Sequence, residues 1–247
     1  MKKIIVSILA AVLAVSAAFA QNDVQAAVQK ALSGSHFKDV RATVENGVAT
    51  LTGTVDLYAD KVRADQKVRH VKGVQAIRDE IQVAGPEISD QQLQAKLINT
   101  VAYSLVGYVP VAFQAISVQV HNGVVELAGH AAGPIAASDA VAAVENTKGV
   151  KDVIDNIQVD PLSPMDNQIR MEAYRKIYGF PSLNKYAMDP AKPIRIQVAN
   201  GHITLYGTVD NQGDKNAAGI QANSVPGAFS VTNNLQVANG GNEKPGK

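Results

Sequence analysis

NGVATLTGTVDLYADKVRADQKVRHVKGVQAIRDEIQV, residues 46–83, returns as NGVVELAGHAAGPIAASDAVAAVENTKGVKDVIDNIQV at 122–159 and as NGHITLYGTVDNQGDKNAAGIQANSVPGAFSVTNNLQV at 200–237. The three stretches have equal length and align without a gap. Asn-Gly opens each one. A second glycine follows at Gly53, Gly129 and Gly207, a third at Gly73, Gly149 and Gly227, and an apolar-Gln-Val sequence closes each copy. Starts spaced 76 and 78 residues apart are those of tandem small domains, not of a short-repeat solenoid.

Each copy reads the same way from its residues. Val40, Ala42 and Val44 alternate with Arg41, Thr43 and Glu45, and the alternation resumes after Asn46-Gly47 with Ala49 and Leu51 on one side. Asn-Gly supplies the positive φ values of a tight turn, so this is a hairpin. Ala64, Val68 and Val71 then recur as Ala140, Val144 and Thr147 and as Ala218, Ala222 and Val225, a spacing of four and three that makes one helical stripe. Asp56 and Asp210 suit the N-cap of that helix, and Gly133-Pro134 its start in the middle copy. The third glycine of each copy is placed to end the helix as a left-handed C-cap. A last strand carries Ile77, Ile81 and Val83 or their counterparts.

A further helix precedes each hairpin, with Val24, Val28, Ala31 and Leu32 on one face of the first, Leu93, Leu97 and Val101 of the second, and Ile169, Ala173 and Ile177 of the third. Ser89 with Gln92 reads as a capping box, and Ser163-Pro164 as a cap followed by a first-turn proline. The expected fold is therefore α+β: three tandem α-β-β-α-β modules, each a three-stranded mixed sheet with two helices on one face. Gly85-Pro86 and Pro161 to Pro164 mark the joints, which gives a signal peptide at 1–20, modules at 21–85, 86–162 and 163–240, and a disordered Gly/Asn-rich tail at 241–247. Modules of this size bury little surface alone, so neighbours are expected to pack together.

NGxxxLxG, then a helix, then Gly-Val and N-x-[IL]-x-V resembles the BON domain, named for bacterial OsmY and nodulation proteins, and the resemblance runs three times from Asp23 to Val237. The copies depart from it at Asp79-Glu80, Asp155-Asn156 and Gly227-Ala228. The resemblance implies a non-catalytic envelope protein that binds phospholipid or other envelope components and supports envelope integrity or osmotic stress tolerance. A structural role, with modules binding a protein or cell-wall partner, is the alternative.

The start of the chain fits export. Lys2 and Lys3 precede an apolar stretch from Ile4 to Phe19, and Ala18-Phe19-Ala20 has the small-x-small form of a cleavage site, so the expected mature protein begins at Gln21 and is periplasmic. The stretch is shorter than the roughly 20 apolar residues of a spanning helix, and no transmembrane span is expected after cleavage. The 247 residues contain no Cys, which excludes disulfides, Cys-ligated metals and a thiol nucleophile. The mature chain is near neutral, which argues against nucleic acid as a partner. Its modules carry net charges of +1, −5 and +3 in chain order.

Two groups of residues are candidates for recognition. Lys61, Arg63, Lys67, Arg69 and Lys72 crowd the second helix of module 1, where they either meet an anionic membrane surface or form a solvated helix face. Between helix and hairpin the second and third modules have longer spans that collect Tyr103, Tyr108 and Phe113, and Tyr174, Tyr178, Phe180 and Tyr186. These are recognition surfaces for an envelope partner, membrane-inserting tips, or lids that extend a small core. Gly53, Gly73, Gly129, Gly149, Gly207 and Gly227 read as turn and cap positions, not ligand contacts. The five His are scattered, no carboxylate cluster completes a metal site, and no catalytic motif is present, so neither cofactor nor metal is expected.

Overall fold

The computed structural model describes residues 22–107, 110–161 and 163–238. The expected signal peptide, the tail at 241–247 and Tyr108 lie outside the described residues.

Module 1 runs α1 (22–31), β1 (Val40–Glu45), β2 (Val48–Val55), α2 (Tyr58–Arg69) and β3 (Ala76–Val83). Module 2 repeats this as α3 (Asp90–Ser104), β4 (Ala115–His121), β5 (Val124–Ala131), α4 (Pro134–Glu145) and β6 (Asp152–Val159). Module 3 has α5 (Pro164–Tyr178), β7 (Arg195–Ala199), β8 (His202–Tyr206), β9 (Thr208–Val209), α6 (Gln212–Asn223), β10 (Ser230–Asn233) and β11 (Gln236–Val237). A short 3-10 helix precedes the first strand of each module, at Ser35–Phe37, Val111–Phe113 and Asn184–Ala187.

The sheets are mixed as the crossover requires. β1 pairs antiparallel with β2, with Val44 opposite Ala49 across the turn, and β3 adds in parallel to the far side of β2. β7, β8 and β10 repeat the arrangement, while β9 and β11 carry the same two strands on past Gly207 and past Asn234-Leu235. The glycine in the second strand is there because the chain entering the first strand runs against it. A Cβ at Gly53 would lie 2.0 Å from the Asp39 carbonyl oxygen and one at Gly129 2.1 Å from that of Ala115.

The predicted stripes form the cores. Val28, Leu32, Ala64 and Val68 from the two helices of module 1 pack on Val40, Ala42, Ala49 and Leu51 from one face of its sheet, while Arg41, Thr43 and Glu45 on the other face are exposed. The described chain divides into two compact units. The first runs to Glu87 and includes Glu145–Asp152; the second comprises Ile88–Val144 and Val153 onward. Within the second unit modules 2 and 3 share a core, since Ala112 and Phe113 of module 2 join Ile169, Ala173, Ile196 and Leu205 of module 3.

The caps correct the sequence reading in part. Ser89 accepts from the Gln92 N–H, which is one of the two bonds of the expected capping box, and Ser163 accepts from that of Asp166 while Pro164 opens α5, both as expected. Neither Asp56 nor Asp210 caps a helix. Leu57 holds the cap position of α2 with no side-chain bond, and Asn211 caps α6 by accepting from the Asp214 N–H. Asp210 follows directly on the end of β9 at Val209 and lies one residue ahead of the cap. Gly73, Gly149 and Gly227 do take left-handed φ values of 101°, 100° and 83°. Gly73 and Gly227 sit three residues beyond His70 and Ser224, which hold the C-caps, so they shape the turn into the last strand instead.

Candidate functional site

The basic face of α2 is largely neutralised within its own module. Asp60 and Asp65 lie one turn before Arg63 and Arg69, and the pairs close at 2.8 Å and 2.6 Å. Lys61 donates to the Ile81 carbonyl at 2.8 Å and stands 3.8 Å from Asp79. Lys67 and Lys72 are exposed. Three of the five basic candidates thus spend charge on carboxylates of their own module, and one of those carboxylates, Asp60, is buried.

The aromatic spans of modules 2 and 3 meet in the second unit. Val106, Pro110 and Val111 on one side and Tyr174, Tyr178 and Pro193 on the other line a cavity of about 400 Å³, with Asp189 the charged group on its described wall. The aromatic candidates divide sharply. Phe113 is buried edge-on to Tyr174 at 5.8 Å, with the Arg170 guanidinium over its ring. Tyr178 is buried and donates to the Ile194 carbonyl at 2.6 Å; burial pushes its phenol well above the usual tyrosine range, and it stays neutral. Tyr186 is buried, donates to Asp214 at 2.7 Å and accepts from the Asp210 N–H at 2.7 Å. Tyr103 and Phe180 are exposed. Only Tyr178 and Tyr174 of the described aromatics both pack and face the cavity.

A polar knot elsewhere in the second unit was not read from the sequence. Asp160, at the end of β6, is buried and receives His130 at 3.1 Å and the Gln197 amide at 3.3 Å on one oxygen, with Arg170 3.5 Å from the other. Arg170, buried on α5, also donates to the Val198 carbonyl and to Asn167. Burial drives the Arg170 pKa down, and Asp160 and Asp166 act against that shift. Arg195 ties β7 to the Gln114 carbonyl, so the side chains of module 3 grip the backbone of module 2. The signal available was an Arg inside the apolar stripe of α5, one residue after Ile169.

Two further carboxylates organise the hairpins. Asp90, opening α3, accepts the Asn122 and Gly123 N–H groups at 2.7 Å and 3.0 Å, and Asp166, in the first turn of α5, accepts those of Asn200 and Gly201 at 2.9 Å and 2.7 Å. The 3-10 helices are latched as well. Asp60 and Asp214 occupy the same repeat position, both buried. Asp60 holds His36 at 3.3 Å, whereas Asp214 holds Tyr186 and Lys185. The equivalent residue of module 2 is Ala136, also buried.

Three tandem copies of a module with two helices on a three-stranded mixed sheet, each turning on a left-handed Asn-Gly, define a repeat protein of small α+β domains. The BON domain model matches residues 20–85, 89–161 and 182–239, and the chain belongs to the BON domain family. Comparison with curated proteins returns no match. Among solved structures, the C-terminal domain of CdsD, the structural protein of the type III secretion system of Chlamydia trachomatis, is 17% identical over 87% of this chain and 96% of that one, with a TM-score of 0.24. A second structure of CdsD is 17% identical over 91% and 100% of the two chains, with a TM-score of 0.25. Superpositions of that quality say nothing about function. No helix among the described residues is long and apolar enough to cross a membrane.

Proposed function

We propose that this chain is a non-catalytic, exported envelope protein whose BON modules, at 21–85, 86–162 and 163–240 behind a signal peptide cleaved after Ala20, bind membrane phospholipid or other envelope components and support envelope integrity or osmotic stress tolerance. The observation that carries the reading is the division of labour between repeated and unrepeated residues. What recurs in all three modules is framework: the Asn-Gly turns, the second-strand glycine and the apolar stripes. What differs is surface, and no group of three or more His, Asp or Glu that could hold a metal ion occurs among the described residues. A fold copied three times with its surface varied suits binding.

Phospholipid is the first ligand to test, through the exposed Lys67 and Lys72 beside Lys61, Arg63 and Arg69. Each basic residue near an anionic bilayer contributes about 1 kcal/mol. The experiment is co-sedimentation of residues 21–247 with neutral and with anionic vesicles at low and high salt. Binding that needs anionic lipid, fades with salt and is lost in Lys67→Ala/Lys72→Ala supports the reading; no sedimentation under any condition refutes the lipid component.

A second reading, attachment to a protein or cell-wall partner, is favoured by the internal pairing of α2 and by the apolar cavity of the second unit. Val106 on its rim and Met188 between two lining residues are exposed. A photo-crosslinker at either position should give one discrete adduct in the envelope, and none at exposed Ile220 on α6.

A further inference from the structure

The three Asn-Gly turns are alike in backbone and unlike in what holds them. Asn46, Asn122 and Asn200 have φ values of 50°, 52° and 51°, and the glycines that follow have 79°, 79° and 78°. All three asparagines are exposed. In modules 2 and 3 a carboxylate from the first turn of the preceding helix takes both turn N–H groups, Asp90 at Asn122-Gly123 and Asp166 at Asn200-Gly201. Gly123 and Gly201 are buried beneath those carboxylates. In module 1 the helix reaches the strand with a different residue in a different place. Gln25 spans the Ala42 carbonyl and the Val44 N–H, two residues short of the turn. Among the described residues no acceptor takes the Gly47 N–H, and Gly47 is only half-buried.

That difference bears on a reaction intrinsic to Asn-Gly. The backbone nitrogen of the glycine, having lost its proton, attacks the side-chain carbonyl carbon of the asparagine. The new C–N bond closes a five-membered succinimide as the bond to Nδ2 breaks and ammonia leaves. One water then opens the ring at either carbonyl, giving aspartate or isoaspartate, with no change of oxidation state. The step requires that the glycine N–H be free to lose its proton and that the asparagine rotate out of the turn. Glycine, with no Cβ, offers the attacking nitrogen without steric cover. A carboxylate that accepts both turn N–H groups opposes both requirements: it retains the proton and pins the turn.

We propose that Asn46 is a site of spontaneous deamidation in the folded protein, from which Asn122 and Asn200 are shielded by Asp90 and Asp166. The modification adds a carboxylate directly after Glu45, at the tip of the first hairpin. As isoaspartate it also adds a methylene to the backbone beside Gly47, whose carbonyl accepts the Gln75 and Ala76 N–H groups that start β3.

The test is peptide mapping by mass spectrometry, with isoaspartate resolved from aspartate, after incubating folded residues 21–247 near neutral pH and body temperature. Asn239-Gly240, the remaining Asn-Gly pair, is scored separately because it follows the third repeat and belongs to none of the three hairpins. The expected result is conversion at Asn46 at least about tenfold ahead of Asn122 and Asn200, a factor equivalent to about 1.4 kcal/mol, within reach of two hydrogen bonds to a carboxylate. In Asp90→Ala, conversion at Asn122 should rise toward that at Asn46 while Asn200 stays slow. Equal rates at all three turns in the wild-type protein would overturn the proposal, and that comparison stands even if the variant does not fold. Conversion at Asn122 unaffected in a folded Asp90→Ala protein would also overturn it.

Discussion

Replacing Asp166 with alanine should cost the second unit more stability than any other change to a single surface turn. Its carboxylate is buried and holds the Asn200 N–H at 2.9 Å and the Gly201 N–H at 2.7 Å. It also sits in the first turn of α5, where the helix dipole favours a negative charge. Hydrogen bonds to a charged partner contribute about 1.5–3 kcal/mol each. After truncation the exposed Asn200 can turn to water, but buried Gly201 is left with an unmet donor, so a total loss of about 3 kcal/mol is expected. Asp90→Ala also strands a buried glycine N–H, at Gly123, but the carboxylate it removes is half-buried and already partly solvated, so about half that loss is expected. The chain has no Trp, and of its seven Tyr only Tyr58 precedes residue 88, so tyrosine fluorescence in a urea titration reports mainly on the second unit. With a urea slope of about 1–3 kcal/mol per molar, the Asp166→Ala midpoint should fall by roughly 1–3 M. A midpoint within roughly 0.3 M of wild type, or a drop no larger than that of Asp90→Ala, would refute the claim that burial sets the value of this clamp.

Tyr186→Phe removes a donor to Asp214 and an acceptor for the Asp210 N–H, and should cost about 1–3 kcal/mol in thermal unfolding; an unchanged melting temperature would show the latch to be idle. Gly129→Ala and Gly107→Ala both place a side chain at positive φ, which costs roughly 1–2 kcal/mol, but only at Gly129 would the new Cβ meet backbone, 2.1 Å from the Ala115 oxygen. The first should therefore fail to give folded protein while the second remains soluble, and similar yields would contradict the contact. Burial alone would raise the Asp214 pKa, yet hydrogen bonds from Lys185, Tyr186 and Ser182 outweigh it and the pKa is lowered. A lowered carboxylate pKa adds stability above the unfolded value and loses it as pH falls through the folded one. Lys185→Met should raise the Asp214 pKa and move the acid limb of the pH–stability curve to higher pH, which acid titration followed by circular dichroism would detect.

The periodic parts of this molecule were readable because they obey one-dimensional rules. Ala64, Val68, Ala140, Val144, Ala218 and Ala222 announce a buried helical stripe by spacing alone, and all six are fully buried. Asn46, Asn122 and Asn200 announce left-handed turns by chemistry. The caps of α2 and α6 were each misread by one residue, while Pro134 opens α4 where the sequence places it, because a proline fixes its own φ whereas an Asp suits any of several neighbouring cap positions. The polar knot was invisible for a different reason. Asp160, Arg170, His130 and Gln197 come from four separate elements, and nothing in the spacing of any one of them records the other three. The aromatics were open to three readings because a Tyr beside a loop can face either way; Tyr178 and Tyr186 turned inward, and Tyr103 did not.

Tandem repeats invite a particular error during folding, in which a helix from one copy docks into the framework of another. The buried carboxylates at one repeat position give each module of this chain a different key. Asp60 is met by His36 and Arg63, Asp214 by Tyr186 and Lys185, and the middle module has Ala136, whose side chain has no polar atom. A module 2 connection carrying Phe113 in place of Tyr186 would strand Asp214 without its phenol, and one carrying Tyr186 into module 2 would meet Ala136 where its own module supplies a carboxylate. Either exchange incurs the cost of an unsatisfied buried polar group, so three frameworks built to one plan can still sort their own segments from their neighbours'.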